Sequence, residues 1–201
     1  MPFLLRVELP DVPGSLGRVA TAIGEAGGDI EAIEIVEKRD GTAVDDVLLE
    51  MHDGAMPDSV VSACNQLKGV HVMWISRYAA GGNIFLDLEV VEELTAEPTE
   101  ALDRVVDLLP VTFRSDWAMR IHRSKGVVRA TDAAPHELPF VEIEKAARIE
   151  VDGDEVNLYA GARIDGNNVV VIGRRGGPEF VDSELARLGH LVSLAASLGR
   201  P

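Results

Sequence analysis

Over the first 78 residues the hydrophobic period switches between strand-like alternation and helical spacing. Each switch falls on Pro or Gly, which leaves few arrangements for this stretch. Phe3, Leu5, Val7 and Leu9 alternate with Leu4, Arg6 and Glu8, predicting a strand over 3–9 that stops at Pro10. Leu16, Val19, Ala20, Ile23 and Ala26 then stand at helical spacing, in a helix that starts near Ser15 and ends at Gly27-Gly28, where a left-handed cap costs least. A second strand over 30–38, a hairpin at Asp40-Gly41 and a return strand over 43–51 follow. Pro57 suits a first helical turn, Val60, Val61, Cys64 and Leu67 form its apolar stripe, Gly69 closes it, and a last strand occupies 70–78. Strand, helix, strand, strand, helix, strand is the split βαβ order, an antiparallel four-stranded sheet with both helices on one face. Apolar residues on both strand faces predict that a second subunit or sheet covers the other face.

Ala79-Ala80-Gly81-Gly82-Asn83 has the small, flexible character of a linker and divides the chain into domains at 1–79 and 84–201. Beyond it, Ile84, Leu88, Val91 and Leu94 predict one helix, and Pro98 opens another through Leu102, Val105, Val106 and Leu109. Strands over 116–123 and 127–131 flank Ser124-Lys125-Gly126, while 131–147 reads as loop with a short helix. Strands over 156–164 and 169–173 join through Asp165-Gly166-Asn167-Asn168. A final helix over 180–198 carries Leu185, Leu188, Val192 and Ala195 on one face. The second domain is therefore expected to be mixed α/β.

A formal charge of -15, from 34 acidic against 19 basic side chains, repels phosphate backbones and anionic lipid, so neither nucleic acid nor membrane is an expected partner. The apolar run at the start is broken by Arg6 and reads as neither signal peptide nor span. Cys64 is the single cysteine, which excludes an internal disulfide and a cysteine metal cluster and fits a reducing cytoplasm.

Between the first strand and first helix lies Asp11-Val12-Pro13-Gly14-Ser15-Leu16. Pro13 stiffens this turn, Gly14 allows close approach to the backbone, and the helix start offers N–H groups with partial positive charge that suit a carboxylate. Asp-x-Pro-Gly-x-Leu after a strand, a helix ending in Gly27-Gly28-Asp29-Ile30, and the split βαβ order closely resemble the ACT domain family over about residues 3–78. The resemblance implies a ferredoxin-like βαββαβ fold that binds an amino acid or similar small effector, commonly at an interface between paired ACT domains. Carried over position by position, it nominates Asp11, Pro13, Gly14, Ser15 and Leu16 from the turn and Gly28, Asp29 and Ile30 from the start of the second strand. Asp29 stands where many family members have Asn, and an ionised Asp can only accept. It either holds an α-amino group or caps local backbone.

The two-helix lead-in, Asp116-Trp117-Ala118 in a strand, and Pro178-Glu179-Phe180-Val181-Asp182-Ser183-Glu184-Leu185 before the last helix resemble a GAF domain over about 84–199. That resemblance implies a small-molecule pocket or a dimerisation role. The bilin-attaching cysteine is absent, Trp117 reads as core, and no ligand residues are assigned there.

His52, His71, His122, His136 and His190 are too scattered for a metal site. Ser15 misses the spacing of a nucleophile elbow and reads as a helix cap. Arg174-Arg175 reads as a solvated loop, and Asp45-Asp46, Glu92-Glu93 and Asp152-Gly153-Asp154 as solvated turns and faces. The expectation is a non-catalytic cytoplasmic regulator without metal or cofactor, a homodimer or higher oligomer with an amino-acid-like effector and a regulated protein partner. The alternatives are a scaffold with a vestigial pocket and an enzyme with its chemistry in the second domain.

Overall fold

Pro10 ends the first strand and Gly27, at φ 88°, ends the first helix, so the sequence punctuation acts where it stands. The computed structural model describes residues 2–77, 83–154 and 156–199, with only the backbone of Asn83 and Ile84. Most of the expected linker, 79–82, and Tyr78 lie outside the described residues. The chain divides into two compact units, Met1–Ala80 and Gly81–Pro201.

The first unit runs β1 (Pro2–Pro10), α1 (Ser15–Glu25), β2 (Gly28–Arg39), β3 (Thr42–Met51), α2 (Pro57–Asn65) and β4 (His71–Arg77). Its antiparallel sheet has the order β2-β3-β1-β4, the split βαβ topology. Asp40 and Gly41 both take positive φ, 48° and 81°, in the β2–β3 hairpin. Leu5, Val7 and Leu9 of β1 and Val47, Leu49 and Met51 of β3 meet Val19, Ile23, Val60 and Cys64 of the two helices in one core.

The face turned away from the helices is buried at its centre. Leu4, Arg6, Val44 and Asp46 are each 3% exposed or less. Arg6 Nε and Nη2 donate to the two Asp46 carboxylate oxygens at 2.7 and 2.8 Å, and that two-point pairing makes both charges tolerable out of water.

The second unit runs α3 (Asn83–Ala96), a 3-10 turn (Pro98–Glu100), α4 (Ala101–Phe113), β5 (Trp117–His122), β6 (Gly126–Ala130), β7 (Ala146–Ile149), β8 (Asn157–Arg163), β9 (Asn168–Arg175) and α5 (Asp182–Leu198). Its antiparallel sheet has the order β6-β5-β9-β8-β7. Ala118, Ala160, Ala162, Val170 and Ile172 face the helices, while Trp117, Met119, Ile121, Tyr159 and Val171 face the other way.

That second face is covered by residues 131–145, where Leu138, Phe140, Val141 and Ile143 lie against the strands. The sequence suggested a short helix here and missed β7. The segment instead takes irregular backbone, with its apolar residues against the sheet. Arg174 is a further correction: it belongs to β9, is 6% exposed, and donates to Glu184 Oε1 (2.5 Å) and to the Phe113 and Pro178 carbonyls. Its guanidinium also lies 4.0 Å from the centre of the Phe180 ring.

Candidate functional site

β1 delivers the chain to residues 11–16 and α1 carries it away, so this turn sits where a strand end meets a helix start. Gly14 is the N-cap of α1 at φ 88°, and open space lies where its side chain would stand. Asp11 N–H donates to the Gly41 carbonyl at 2.9 Å, tying the turn to the β2–β3 hairpin. The Asp11 carboxylate accepts from Lys38 Nζ at 2.9 and 3.1 Å.

Ser15 does not cap the helix. It is 2% exposed, its N–H donates to the Val12 carbonyl at 3.1 Å, and its Oγ accepts from Arg18 Nη2 at 3.3 Å. No side chain caps α1, and among the described residues the N–H groups of Leu16 and Gly17 find no backbone acceptor. These donors carry the partial positive charge of the helix start and suit an anion. Along the outer side of α1 runs an open groove of about 370 Å³ lined by Gly14, Gly17, Arg18, Thr21, Glu25 and Leu67.

The nominated residues fall into two groups that one chain does not bring together. Pro10 pairs with Thr42, which also faces Arg39, so Asp11, Pro13, Gly14, Ser15 and Leu16 lie at that end of the sheet. Gly28 pairs with Met51 and Asp29 with Glu50, which in turn faces Pro2, so Gly28, Asp29 and Ile30 lie at the opposite end. The separation is about 26 Å at ~3.3 Å per strand residue. Gly28 is buried and packs without room for a side chain, since a Cβ there would stand 2.7 Å from Ile23 Cγ2. Asp29 is exposed.

Two residues beside the turn escaped the sequence reading. One is Lys38. The other is Asp45, which is not solvated but 2% exposed, with no hydrogen-bond partner for Oδ1 among the described residues. It pairs with Val7 and Ile35 on the helix-facing side of the sheet. Burial pushes its carboxyl above the ordinary range, the Lys38 charge pulls it partway back, and Asp11 and Asp46 push it up further. The available signal was alternation: Asp45 occupies the same stripe as Ala43, Val47 and Leu49.

In the second unit an open cavity of about 670 Å³ is lined by Asp116, Trp117, Asp154, Tyr159 and Arg175. Its polar groups are largely committed. Asp154 accepts from Tyr159 Oη (2.5 Å), Asn157 Nδ2 (2.7 Å) and the Val156 and Asn157 N–H groups, bonds that hold its carboxyl well below the ordinary range. Burial and the Asp154 bond push the Tyr159 phenol up to about 12. A larger groove of about 960 Å³ lies between α5 and the β8–β9 turn, with Lys145, Arg163, Asp165, Asp182 and His190 on its walls. Among the described residues no three His, Cys, Asp or Glu side chains gather as a metal site, and no helix is long and apolar enough to cross a membrane.

Comparison with known proteins separates the units again. The sequence model of the ACT domain family matches residues 3–68. A stretch of 73 residues is 36% identical to NAD-dependent malic enzyme 1 of Bacillus subtilis (strain 168), covering 36% of this chain and 17% of the enzyme's length. Similar solved structures include the GAF domain of a phosphoenolpyruvate-protein phosphotransferase from Acinetobacter (12% identity, 60% of this chain and 93% of that one, TM-score 0.45). The corresponding GAF domain from Coxiella burnetii is 15% identical over 57% of this chain and 90% of its own, with a TM-score of 0.46. The free methionine-R-sulfoxide reductase of Neisseria meningitidis is 10% identical over 61% of this chain and 93% of its own, with a TM-score of 0.49. The turn at 11–16, the β2-β3-β1-β4 sheet and the family match agree that residues 3–68 of this chain form an ACT domain.

Proposed function

We propose that the chain is a non-catalytic regulatory protein of the cytoplasm that binds an amino acid or similar small effector between two copies of its ACT domain. The observation that carries this reading is the separation of the two nominated groups to opposite ends of one sheet. β2 is an edge strand, with Asp29, Glu31, Ala32, Ile33, Glu34 and Ile35 exposed. Two such strands pairing antiparallel about a two-fold axis would bring the start of β2 in one copy beside the end of β2 in the other, next to its turn at 11–16. A register centred on Ile33 and Glu34 sets Asp29 opposite Lys38 of the other copy, an attraction of unlike charges. Exposed Ile33 (37%) and Ile35 (52%) are covered by the same pairing.

The match to only 17% of a larger malic enzyme supports an accessory role for this module. Effector binding would transmit a signal to the second unit or a partner protein by favouring one dimer arrangement over another. Calorimetric titration with the standard amino acids, with light scattering to fix the oligomeric state, tests the reading. A folded dimer that binds none of them would overturn it.

A further inference from the structure

We propose that Asp45 and Lys38 form a built-in ammonium subsite beneath the turn at 11–16: Asp45 is the anionic floor, and Lys38 occupies the place that an effector's amino group takes on binding. This rests on reading the turn as an effector site and adds the group that recognises the amine.

Three observations converge on this spot. Asp45 is 98% withdrawn from solvent, yet Oδ1 is left without a hydrogen-bond partner among the described residues, an arrangement that disfavours folding. Strand pairing fixes its direction. Val7 and Val47, on the same side of the sheet, both enter the core under α1, so Asp45 points toward the helix whose free N–H groups belong to Leu16 and Gly17. The third observation is Lys38, whose side chain is 54% exposed and bridges both Asp11 oxygens, and whose strand partner Ala43 lies two residues from Asp45 on the same face of the sheet.

Lys38 is a primary ammonium on a flexible stem, held at a surface where an exposed ion pair is worth little. An effector that brings its own ammonium can replace it without creating a new unpaired charge. The helix start then takes the effector's carboxylate, and Asp11 with Asp45 takes its ammonium. A carboxylic acid without an amine satisfies only the helix start.

The full chain is titrated with the standard amino acids and with the 2-hydroxy acid analogue of the one that binds, in wild type, D45N and K38M. Wild type is expected to bind the hydroxy analogue at least about tenfold more weakly than the amino acid. D45N is expected to lose about tenfold or more for the amino acid and to keep wild-type affinity for the hydroxy analogue. D45N should also melt higher, by about 3 °C, because it removes a buried charge that is costly without a ligand. K38M, at a concentration where light scattering shows the same oligomer as wild type, is expected to bind the amino acid more tightly, having lost the competing cation.

D45N binding the amino acid as wild type does would overturn the assignment and leave the effector reading standing. Were D45N to fail to fold, K38M decides: unchanged or weaker affinity overturns the proposal. Wild type binding no amino acid overturns the effector reading and this subsite with it.

Discussion

Arg174 in the second unit and Asp45 in the first are both charged side chains withdrawn from water, 6% and 2% exposed, and their surroundings are opposite. Arg174 has two carbonyls, a carboxylate and an aromatic face, and its partner Glu184 also accepts from the Val181 N–H at 2.9 Å. Asp45 has an oxygen without a hydrogen-bond partner among the described residues. The sheets differ as well: both faces of the second unit's central strands carry apolar side chains, while in the first unit the face turned from the helices carries the Arg6–Asp46 ion pair. A saturated network fixes one arrangement, whereas an unsatisfied buried group is disposed toward an added partner.

The largest expected effect follows from cutting the saturated network. Glu184→Ala leaves the Arg174 guanidinium buried without its carboxylate and should cost about 3–5 kcal/mol in denaturant titration. A loss under about 1 kcal/mol would mean that the second unit does not depend on this pair. Next comes Gly173→Ala, whose added carbon falls on the Trp117 indole; a loss of about 1–3 kcal/mol is expected from the displaced ring.

Gly14→Ala tests the first unit. The turn needs φ 88°, so about 1 kcal/mol of stability should go. Effector affinity should fall further than that while the dimer measured by light scattering persists. Loss of the dimer instead would tie the turn to assembly.

The smallest effect is a pH dependence. The folded Asp154 carboxyl titrates below its ordinary value near 3.8, chiefly through the Tyr159 and Asn157 hydrogen bonds. Its stabilising contribution is therefore present above pH ~4 and fades as pH falls through the lowered folded value. Thermal melts of wild type and Asp154→Asn should converge as the pH is taken below 4, and parallel curves would remove Asp154 from the acid response.

Local signals in the chain specified most elements because local rules decide them. Pro57 at a first helical turn, Gly69 at φ 78° and Asp40-Gly41 in a hairpin each act through their own backbone. Residues 131–149 were harder: their apolar side chains follow the sheet they cover, and that surface is assembled from strands far along the sequence. The misreadings of Asp45-Asp46 and Arg174-Arg175 share one cause. Composition treats adjacent like charges as solvated, but within a strand neighbours point to opposite faces, and each can be buried separately. Arg6 meets Asp46 across 40 positions and Arg174 meets Phe113 across 61, pairings that spacing alone does not reveal. The turn at 11–16 was legible as a motif. Its division from Gly28, Asp29 and Ile30 became visible only with the strand register.

Cys64, the chain's single cysteine, lies fully buried on the inner face of α2, and burial pushes its thiol up to about 11. Nature has thereby installed a one-channel clock on the ACT domain alone. A thiol reagent at neutral pH reads only the moments when α2 lifts from the sheet, so its labelling rate times local opening without fluorophore or isotope. Added effector that slows the labelling would report closure of the first unit while the second stays silent.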